Sequence, residues 1–257
     1  MPVSAIPPDY WLLRLTLEIL GLLPDQRMIT FGQATLLQPA FFDRDPRKVA
    51  RSLLGKLLIR KGPKGIRAGR VVETEAYLGE GDAAAHATAG KTARNAVVFG
   101  PPGYAYVYFV YGNQYCLNVS CLPDGVPGCV LFRALEPVAG IEQMAKARGL
   151  VIGDQSDLKK ISSGPGRMCE ALGITRDRDN GKSLFSRGSD LQLVDDGCHV
   201  RLVTVTRRVG ITKSADEELR YLIAGNAFVS QGSQTRKSPL PPAHVRANAN
   251  ASATRGS

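Results

Sequence analysis

A tyrosine-rich segment with the pattern of a β-hairpin constrains the fold most. Five of the eight tyrosines fall within residues 104–115, and up to Phe109 they alternate with other residues at the period of a β-strand. Gly112-Asn113 has the composition of a tight two-residue turn, and residues 115–120 would form the return strand. Tyr111 would then lie at or next to the tip, where a side chain has no core to enter. The pattern therefore predicts antiparallel pairing with an exposed aromatic ring at one end.

A second strand-like segment, residues 69–78, carries two acidic side chains. Alternate side chains of a strand share a face, so one face is expected to hold Val71, Glu73, Glu75 and Tyr77. Two carboxylates beside an aromatic ring suit acid–base chemistry or the activation of water. The alternative is an exposed polar strand face with two glutamates of no special role. The loop that follows contains His86, one of only three histidines, and could return an imidazole to the carboxylates.

Positive charge is concentrated in one part of the chain. The 257 residues include 33 Lys+Arg and 23 Asp+Glu, a formal net charge of +10, which argues for an acidic partner. Residues 44–70 hold ten basic side chains and one acidic side chain. Asp43 or Asp45 can cap a helix here, with Pro46 in its first turn and Gly55 at its end. We predict a phosphate-facing surface in this segment; a solvated charged helix face is the alternative.

A glycine-containing loop at Ser162–Arg167 directly precedes a predicted helix. A serine, a flexible backbone and a helix N-terminus together can bind phosphate. The loop lacks the Gly-Lys-Ser/Thr ending of a nucleotide-binding loop. Most loops of this kind only begin helices, and that alternative stays open.

Several classes of protein are excluded by composition. Hydrophobic residues make up 44% and charged residues 22% of the chain, which is typical of a globular protein. The longest apolar run, Trp11–Leu23, is interrupted by Arg14 and Glu18 and is shorter than the ~18 residues that a membrane span needs. We expect it to form an amphipathic helix that packs on the protein, and we expect no membrane partner.

The cysteines indicate neither a disulfide framework nor a metal site. There are five of them, an odd number, and none forms a Cys-x-x-Cys pair. The His-x-Glu signature of zinc deaminases is also missing. We expect reduced core thiols in a cytosolic protein and no bound metal.

The chain divides into three zones by composition. Residues 1–38 contain the amphipathic helix, residues 39–231 have the patterns of a folded domain, and residues 232–257 form a basic tail that we expect to be disordered. The folded zone is expected to be a single mixed α/β (α+β) domain. Its core would be a curved, mainly antiparallel sheet surrounded by helices, with the tyrosine hairpin protruding from it.

The segments discussed above resemble the alkyladenine (3-methyladenine) DNA glycosylases, the methylpurine-DNA glycosylase type of base excision repair enzyme. The resemblance covers about residues 40–231 and is carried, in order, by ARSLLGKLL, GRVVETEAYLG, DAAAH, TARN, PGYAYVYFVYG, CLN, VLFRALEP, SGPGR and RRVGI. ETEAYLG followed by the tyrosine hairpin and RALEP is a specific combination. Asn113 and Val98 depart from the family pattern, which usually has methionine at both positions, and we expect both near the DNA-facing tip.

The resemblance implies an enzyme that flips a damaged purine out of duplex DNA and hydrolyses its bond to deoxyribose. Alkylated, deaminated and etheno purines would be substrates, and no cofactor or metal would be used. We expect a monofunctional enzyme without lyase activity that acts as a monomer. Its location would be cytoplasmic and nucleoid-associated in a bacterium, or nuclear in a eukaryote.

The resemblance also assigns roles to individual residues. Glu75 matches the carboxylate that activates water, and Arg133 the residue that helps hold this water. Glu73 would have a supporting role. The base pocket would be formed by Tyr77, His86, Tyr108 and Asn118, and Tyr111 would intercalate into the duplex. We expect contacts to the DNA backbone from Arg51, Lys56, Arg94, Gly164, Gly166 and Arg167.

Two other functions share part of this pattern. A non-catalytic binder of distorted DNA or structured RNA would use the basic helix and the tyrosine hairpin, but it has no need of Glu75 beside Tyr77. A hydrolase of another glycosidic bond would use both glutamates. It would normally need a second acid across the scissile bond.

Overall fold

A long strand that borders three others is the central element of the fold. The computed structural model describes residues 34–230, apart from the side chain at position 155. Its strands are β1 (Thr35–Leu36), β2 (Leu57–Gly62), β3 (Gly65–Tyr77), β4 (Ala105–Val110), β5 (Gln114–Ser120), β6 (Cys129–Ala139), β7 (Leu191–Asp195), β8 (Val203–Thr206) and β9 (Arg220–Ile223). All pairings between these strands are antiparallel. The amphipathic helix predicted at residues 11–23 and the tail at residues 232–257 lie outside the described residues.

The strands form one sheet in which β3 has two neighbours on the same side. The order is β1-β7-β2-β3-β6-β5-β4, and β9 pairs with both β3 and β8. β2 pairs with residues 65–70 of β3 and β9 with residues 73–75, while β6 runs along the other side. The register between β3 and β6 shifts around Val72, and such bulges bend a strand and increase its twist. The described part of the chain thus confirms the predicted mixed α/β fold with a curved antiparallel sheet.

The bulge in β3 also changes which side chains share a face. Val71 lies in the main apolar core together with Ala76, whereas Glu73 and Glu75 both bind Arg133. The prediction that Val71 shares a face with the two glutamates is therefore wrong. An extra residue in a strand reverses the alternation of side chains on either side of it.

Helices cover one face of the sheet. They are α1 (Pro39–Phe42), α2 (Pro46–Leu53), α3 (Ile141–Ala147), α4 (Gln155–Ser162), α5 (Pro165–Leu172) and α6 (Arg176–Asp179), with short 3-10 turns at His86–Ala89 and Ala96–Phe99. α2 begins as predicted, because the carboxylate of Asp45 accepts a hydrogen bond from the backbone N–H of Arg47 and Pro46 occupies the first turn. Gly55 follows the helix with a φ of +85°, a conformation that favours glycine.

The core lies between the helices and the strands, and it leaves the tyrosines on the far side of the hairpin. Phe132 of β6 and Met168 of α5 are fully buried in it. Val107 of β4 belongs to this core, whereas Tyr106 and Tyr108 belong to a second, smaller cluster. The predicted alternation along β4 is confirmed, and it places two tyrosines where a pocket can form.

The hairpin of β4 and β5 has a longer turn than predicted. Val110 pairs with Gln114, so three residues and not two connect the strands. Tyr111 and Gly112 have φ values of +53° and +73°. Tyr111 is 82% exposed, which confirms its predicted place at the tip.

Within residues 34–230, none of the helices is both long and apolar enough to cross a membrane. The five cysteines are free, and four of them are buried.

Candidate active site

Glu73 is held by a fully satisfied network of hydrogen bonds. Its carboxylate is buried and accepts bonds from Nε of Arg133 and Nε of Arg220, both at 2.7 Å. The backbone N–H and the hydroxyl of Ser230 donate to it at 2.6 and 2.9 Å. Glu73 thereby joins β3, β6, β9 and the end of the described chain, which agrees with the supporting role expected for it.

Glu75 lies on the same side of β3 and has three polar contacts, one fewer than Glu73. Its side chain is also buried. Oε1 accepts a hydrogen bond from the backbone N–H of Val209 at 2.8 Å and lies 3.2 Å from Nη1 of Arg133. Oε2 accepts a hydrogen bond from the hydroxyl of Tyr77 at 3.0 Å. Arg133 therefore connects the two carboxylates, because its Nε binds one and its Nη1 the other.

Burial raises the pKa of Glu75 above its ordinary value, although Arg133, the N–H of Val209 and the hydroxyl of Tyr77 oppose that rise. A carboxylate whose pKa is closer to neutral accepts protons better than an ordinary glutamate does. Burial also raises the pKa of Tyr77, which keeps its hydroxyl protonated as a donor.

Tyr77, whose hydroxyl binds this carboxylate, lines a cavity of about 110 Å³, whereas neither Glu75 nor Arg133 is among the described residues that line it. All four side chains predicted to form the base pocket, Tyr77, His86, Tyr108 and Asn118, line it. Val98, Tyr106, Cys129 and Ile211 line it too, and the sequence had not indicated these for the pocket. Val98 is 2% exposed, so the expectation that this departure from the family pattern lies near the DNA-facing tip is wrong.

His86 is fixed against the hairpin by a hydrogen-bonding contact and a ring contact. Its Nδ1 lies 2.8 Å from the hydroxyl of Tyr106, and its ring meets that of Tyr108 edge-on with centroids 4.6 Å apart. Burial, with a contribution from the charge of Arg94, lowers the pKa of His86. Tyr106 is therefore more than a packing residue, since it orients one wall of the cavity.

The carboxamide of Asn118 is oriented by two contacts. Nδ2 donates to the backbone carbonyl of Tyr106 at 3.2 Å, and Oδ1 faces the thiol of Cys129 at 3.9 Å. Burial raises the pKa of Cys129 to about 12, so this thiol keeps its proton. Asn118 thus presents a fixed amide edge to whatever enters the cavity.

A buried ion pair that the sequence patterns did not reveal supports the wall of the cavity. Arg208 donates to both carboxylate oxygens of Asp82, at 2.5 and 2.8 Å, and its Cζ lies 4.7 Å from the ring centroid of Tyr77. Burial by itself would raise the pKa of Asp82, but hydrogen bonds from Arg208 and from the N–H of Ala84 hold it below its ordinary value. Both residues fall in quoted motifs, DAAAH and RRVGI, but nothing in either motif shows that the two meet.

The residues expected to contact the DNA backbone differ in their surroundings. Arg51, Arg94 and Arg167 are exposed. Gly164 has a φ of +139° before α5, and at Gly166 a Cβ would collide with the side chain of Gln114. The start of α5 therefore packs against the tip end of the tyrosine hairpin, next to its turn. Lys56 forms an ion pair with Asp195 at 2.7 Å, and its contact to phosphate, like the others, stays a prediction.

The basic segment does not form one phosphate-facing surface. Arg60 is fully buried and pairs with Asp179 and Asp190 at 2.8 and 2.9 Å. Arg70 is also buried and pairs with Asp196 at 2.8 Å. The prediction of an exposed basic surface is wrong for these two arginines, because acids from residues 179–196 neutralise them within the fold.

No group of three or more His, Cys, Asp or Glu side chains suited to a metal ion occurs in the part of the chain that the structure describes.

The cavity and its surroundings define a class of protein. A pocket walled by aromatic rings, one of which hydrogen-bonds a buried carboxylate, is an enzyme-type site for a flat ring. The family model for methylpurine-DNA glycosylase matches residues 40–227. The chain belongs to the methylpurine-DNA glycosylase family: it is a DNA glycosylase, a hydrolase of N-glycosyl bonds with DNA as its substrate.

Curated relatives agree with this assignment. A protein of Koribacter versatilis is 63% identical over 201 residues, which are 78% of this chain and 96% of the relative. One from Methanocella arvoryzae is 45% identical over 180 residues, 70% and 86% of the two chains. One from Methanoculleus marisnigri is 45% identical over 199 residues, 76% and 98% of the two chains. Each carries the name "Putative 3-methyladenine DNA glycosylase".

Proposed function

We propose that the protein flips damaged purines out of duplex DNA and hydrolyses their N-glycosidic bond with a water molecule that Glu75 activates. The substrates would be alkylated, deaminated or etheno purines such as 3-methyladenine, hypoxanthine and ethenoadenine. One observation carries the proposal: Tyr77 lines the cavity and its hydroxyl donates to Glu75. A base held against this ring would have its glycosidic bond near Glu75, the carboxylate that the Tyr77 hydroxyl binds.

The chemistry needs one nucleophile and one proton acceptor. The oxygen of water bonds to C1′ of the deoxyribose while the bond between C1′ and the base nitrogen breaks, and the electron pair of that bond leaves with the base. Glu75 takes the proton of the water. Arg133, 3.2 Å from Oε1 of Glu75, would orient the water, and the carboxylate would stabilise the positive charge that develops on the sugar.

The pocket and the hairpin would supply recognition. Aromatic walls stack on neutral bases and attract cationic ones through their π faces. Asn118 would discourage guanine, whose 2-amino group needs room and a partner. Tyr111, exposed at the tip of the hairpin, would fill the gap in the duplex and so offset part of the few kcal/mol lost on flipping.

The test is release of free base from duplexes that each carry one lesion. Glu75→Gln should lower the single-turnover rate about a hundredfold or more, the usual range for loss of a general base. Glu142→Gln, at an exposed position of α3, is the matched control and should retain the wild-type rate. Full activity of Glu75→Gln would exclude Glu75 as the base, and a protein that binds damaged duplexes without releasing base would be the non-catalytic binder.

We further infer a monomeric, monofunctional enzyme without a cofactor that acts in the cytoplasm on the nucleoid, or in the nucleus of a eukaryote. None of the described residues that line the cavity is a lysine, so no amine is at hand to attack the sugar. Borohydride should trap no protein–DNA adduct, and a trapped adduct would contradict the inference. Light scattering should give the mass of one chain.

A further inference from the structure

Arg208, which the proposed chemistry does not use, lies directly against a wall of the base pocket. Its side chain is 0% exposed, and its guanidinium carbon lies 4.7 Å from the centre of the Tyr77 ring. Besides Asp82, the backbone carbonyl of Ala76 accepts a hydrogen bond from it at 3.1 Å. These contacts hold the positive charge in one place over the ring.

Arg208 covers one face of the Tyr77 ring. Tyr77 lines the cavity, but neither Arg208 nor Asp82 is among the described residues that do so. A base that stacks on Tyr77 must therefore use the other face of the ring, because the guanidinium occupies this one. The ring of Tyr77 would then separate the base from the guanidinium.

A cation on one face of an aromatic ring disfavours a second cation on the other. The π electrons of the ring attract a positive charge, but a guanidinium already over the ring repels it. The repulsion is weakly screened because Arg208 is removed from water. Asp82 acts in the opposite direction, since its negative charge partly cancels that of Arg208. Both charges affect a neutral base less than they affect a cationic base.

We propose that Arg208 and Asp82 set the preference of this pocket between neutral and cationic damaged purines. Arg208 lowers the relative rate for cationic bases, and Asp82 limits that effect. Both act through Tyr77, so they are positioning and specificity residues and not catalytic ones. The inference rests on the proposed function, because it requires the damaged base to stack on Tyr77.

A merely structural role for the ion pair makes a different prediction. The pair joins Asp82, in the loop after β3, to Arg208, next to the Val209 N–H that binds Glu75. If the pair only held these segments together, its loss would slow both kinds of substrate by the same factor. The ratio of the two rates would then stay constant.

The experiment compares two duplexes of one sequence, with hypoxanthine as the neutral lesion or 7-methylguanine as the cationic lesion. Single-turnover rates at saturating enzyme do not depend on the active fraction of a preparation. The positive charge that develops on the sugar is common to both lesions, so its stabilisation cancels in the ratio.

Arg208→Gln should raise the ratio of the 7-methylguanine rate to the hypoxanthine rate about three- to tenfold, as expected for a change in one cation–π contact. Asp82→Asn should lower the ratio, because it leaves the arginine charge uncompensated. Arg208→Lys keeps the positive charge and should stay within about twofold of the wild-type ratio. Opposite shifts from the two charge-removing variants are the signature of the proposed effect.

Removal of one partner of a buried ion pair destabilises a protein, so the double variant Asp82→Asn/Arg208→Gln provides a second arm. It leaves no unpaired charge and should raise the ratio above the wild-type value, but less than Arg208→Gln does, because the attraction from the Asp82 carboxylate is removed as well. An unchanged ratio in the double variant, or shifts in the same direction from Arg208→Gln and Asp82→Asn, would overturn the inference. Failure of the proposed function would look different. Either the wild-type protein would release neither of the two bases, or the Glu75→Gln variant would stay fully active.

Discussion

The hydroxyl of Tyr77 donates a hydrogen bond to Oε2 of Glu75, two residues earlier on the same strand, at 3.0 Å. Side chains at this spacing share a face of the strand, and no bulge separates them because the irregular pairing of β3 ends at Thr74. A single aromatic residue thus forms part of the cavity wall and supports the candidate base. In the proposed function, that one hydroxyl would couple recognition of the base to the chemistry.

Tyr77→Phe tests this coupling. It keeps the ring and removes a hydrogen bond to a carboxylate, so we expect the rate of base release to fall about tenfold. The hydrogen bond from Tyr77 lowers the pKa of Glu75. Its removal should therefore move the acid limb of the pH–rate profile to higher pH. Single-turnover rates across the acid range measure both effects. A lower rate with an unmoved limb would mean that this hydrogen bond does not affect the pKa of Glu75.

The pH dependence of the wild-type protein follows from the raised pKa of Glu75. Only ionised Glu75 can accept a proton, so the rate should fall as the pH decreases through that pKa, and the midpoint should lie above the ordinary glutamate value of 4.5. The measurement is the single-turnover rate on a hypoxanthine duplex, whose neutral base adds no charge of its own. A midpoint at or below the ordinary value would contradict the prediction.

The same shift affects stability with a defined sign. The folded-state pKa of Glu75 lies above the unfolded-state value, so its contribution to stability is present in full below the unfolded pKa and is lost as the pH rises through the folded pKa. Glu75→Gln does not titrate. As the pH rises through this window, the free energy of unfolding of Glu75→Gln should therefore increase relative to that of the wild-type protein. Urea denaturation at several pH values measures this difference.

Tyr111→Ala tests the wedge. The side chain is 82% exposed, so we expect little loss of stability, but excision from duplex DNA should fall about tenfold or more because the gap left by the flipped base stays empty. Excision from single strands should suffer less, since no stacked partner must be replaced. Val151→Ala, at another exposed apolar residue, is the control. Equal losses on both substrates would contradict the wedge assignment.

Arg60→Met tests the correction to the basic segment. Arg60 is fully enclosed with Asp179, so its removal leaves a buried carboxylate without this partner and should cost about 3–5 kcal/mol of unfolding free energy. Lys61→Met, at the exposed neighbouring position, should cost less than about 0.5 kcal/mol. Urea denaturation gives both values. A DNA-contact role for Arg60 would instead change DNA affinity with little effect on stability.

Local sequence patterns were enough to predict the parts of the site that lie close together in the chain. The alternation along β4 and the turn residues after it predicted the hairpin and the exposed Tyr111, because these depend only on neighbouring residues. In the same way the ETEAY segment places Glu75 beside Tyr77, two positions apart on a strand. The resemblance to a family then united these segments around one pocket, and the structure brings all four of its residues to one cavity.

Only the tertiary structure decided where distant parts of the chain meet. The bulge near Val72 moves Val71 into the core, and it depends on the pairing of β3 with β6 and not on residues nearby in sequence. The net charge of +10 does not show that Arg60 is neutralised by Asp179, more than a hundred positions away. Nor does it show that Arg208 lies over Tyr77. Spacing along a chain specifies which side chains share a strand face, whereas the environment of a charge is set by whatever the folded chain brings against it.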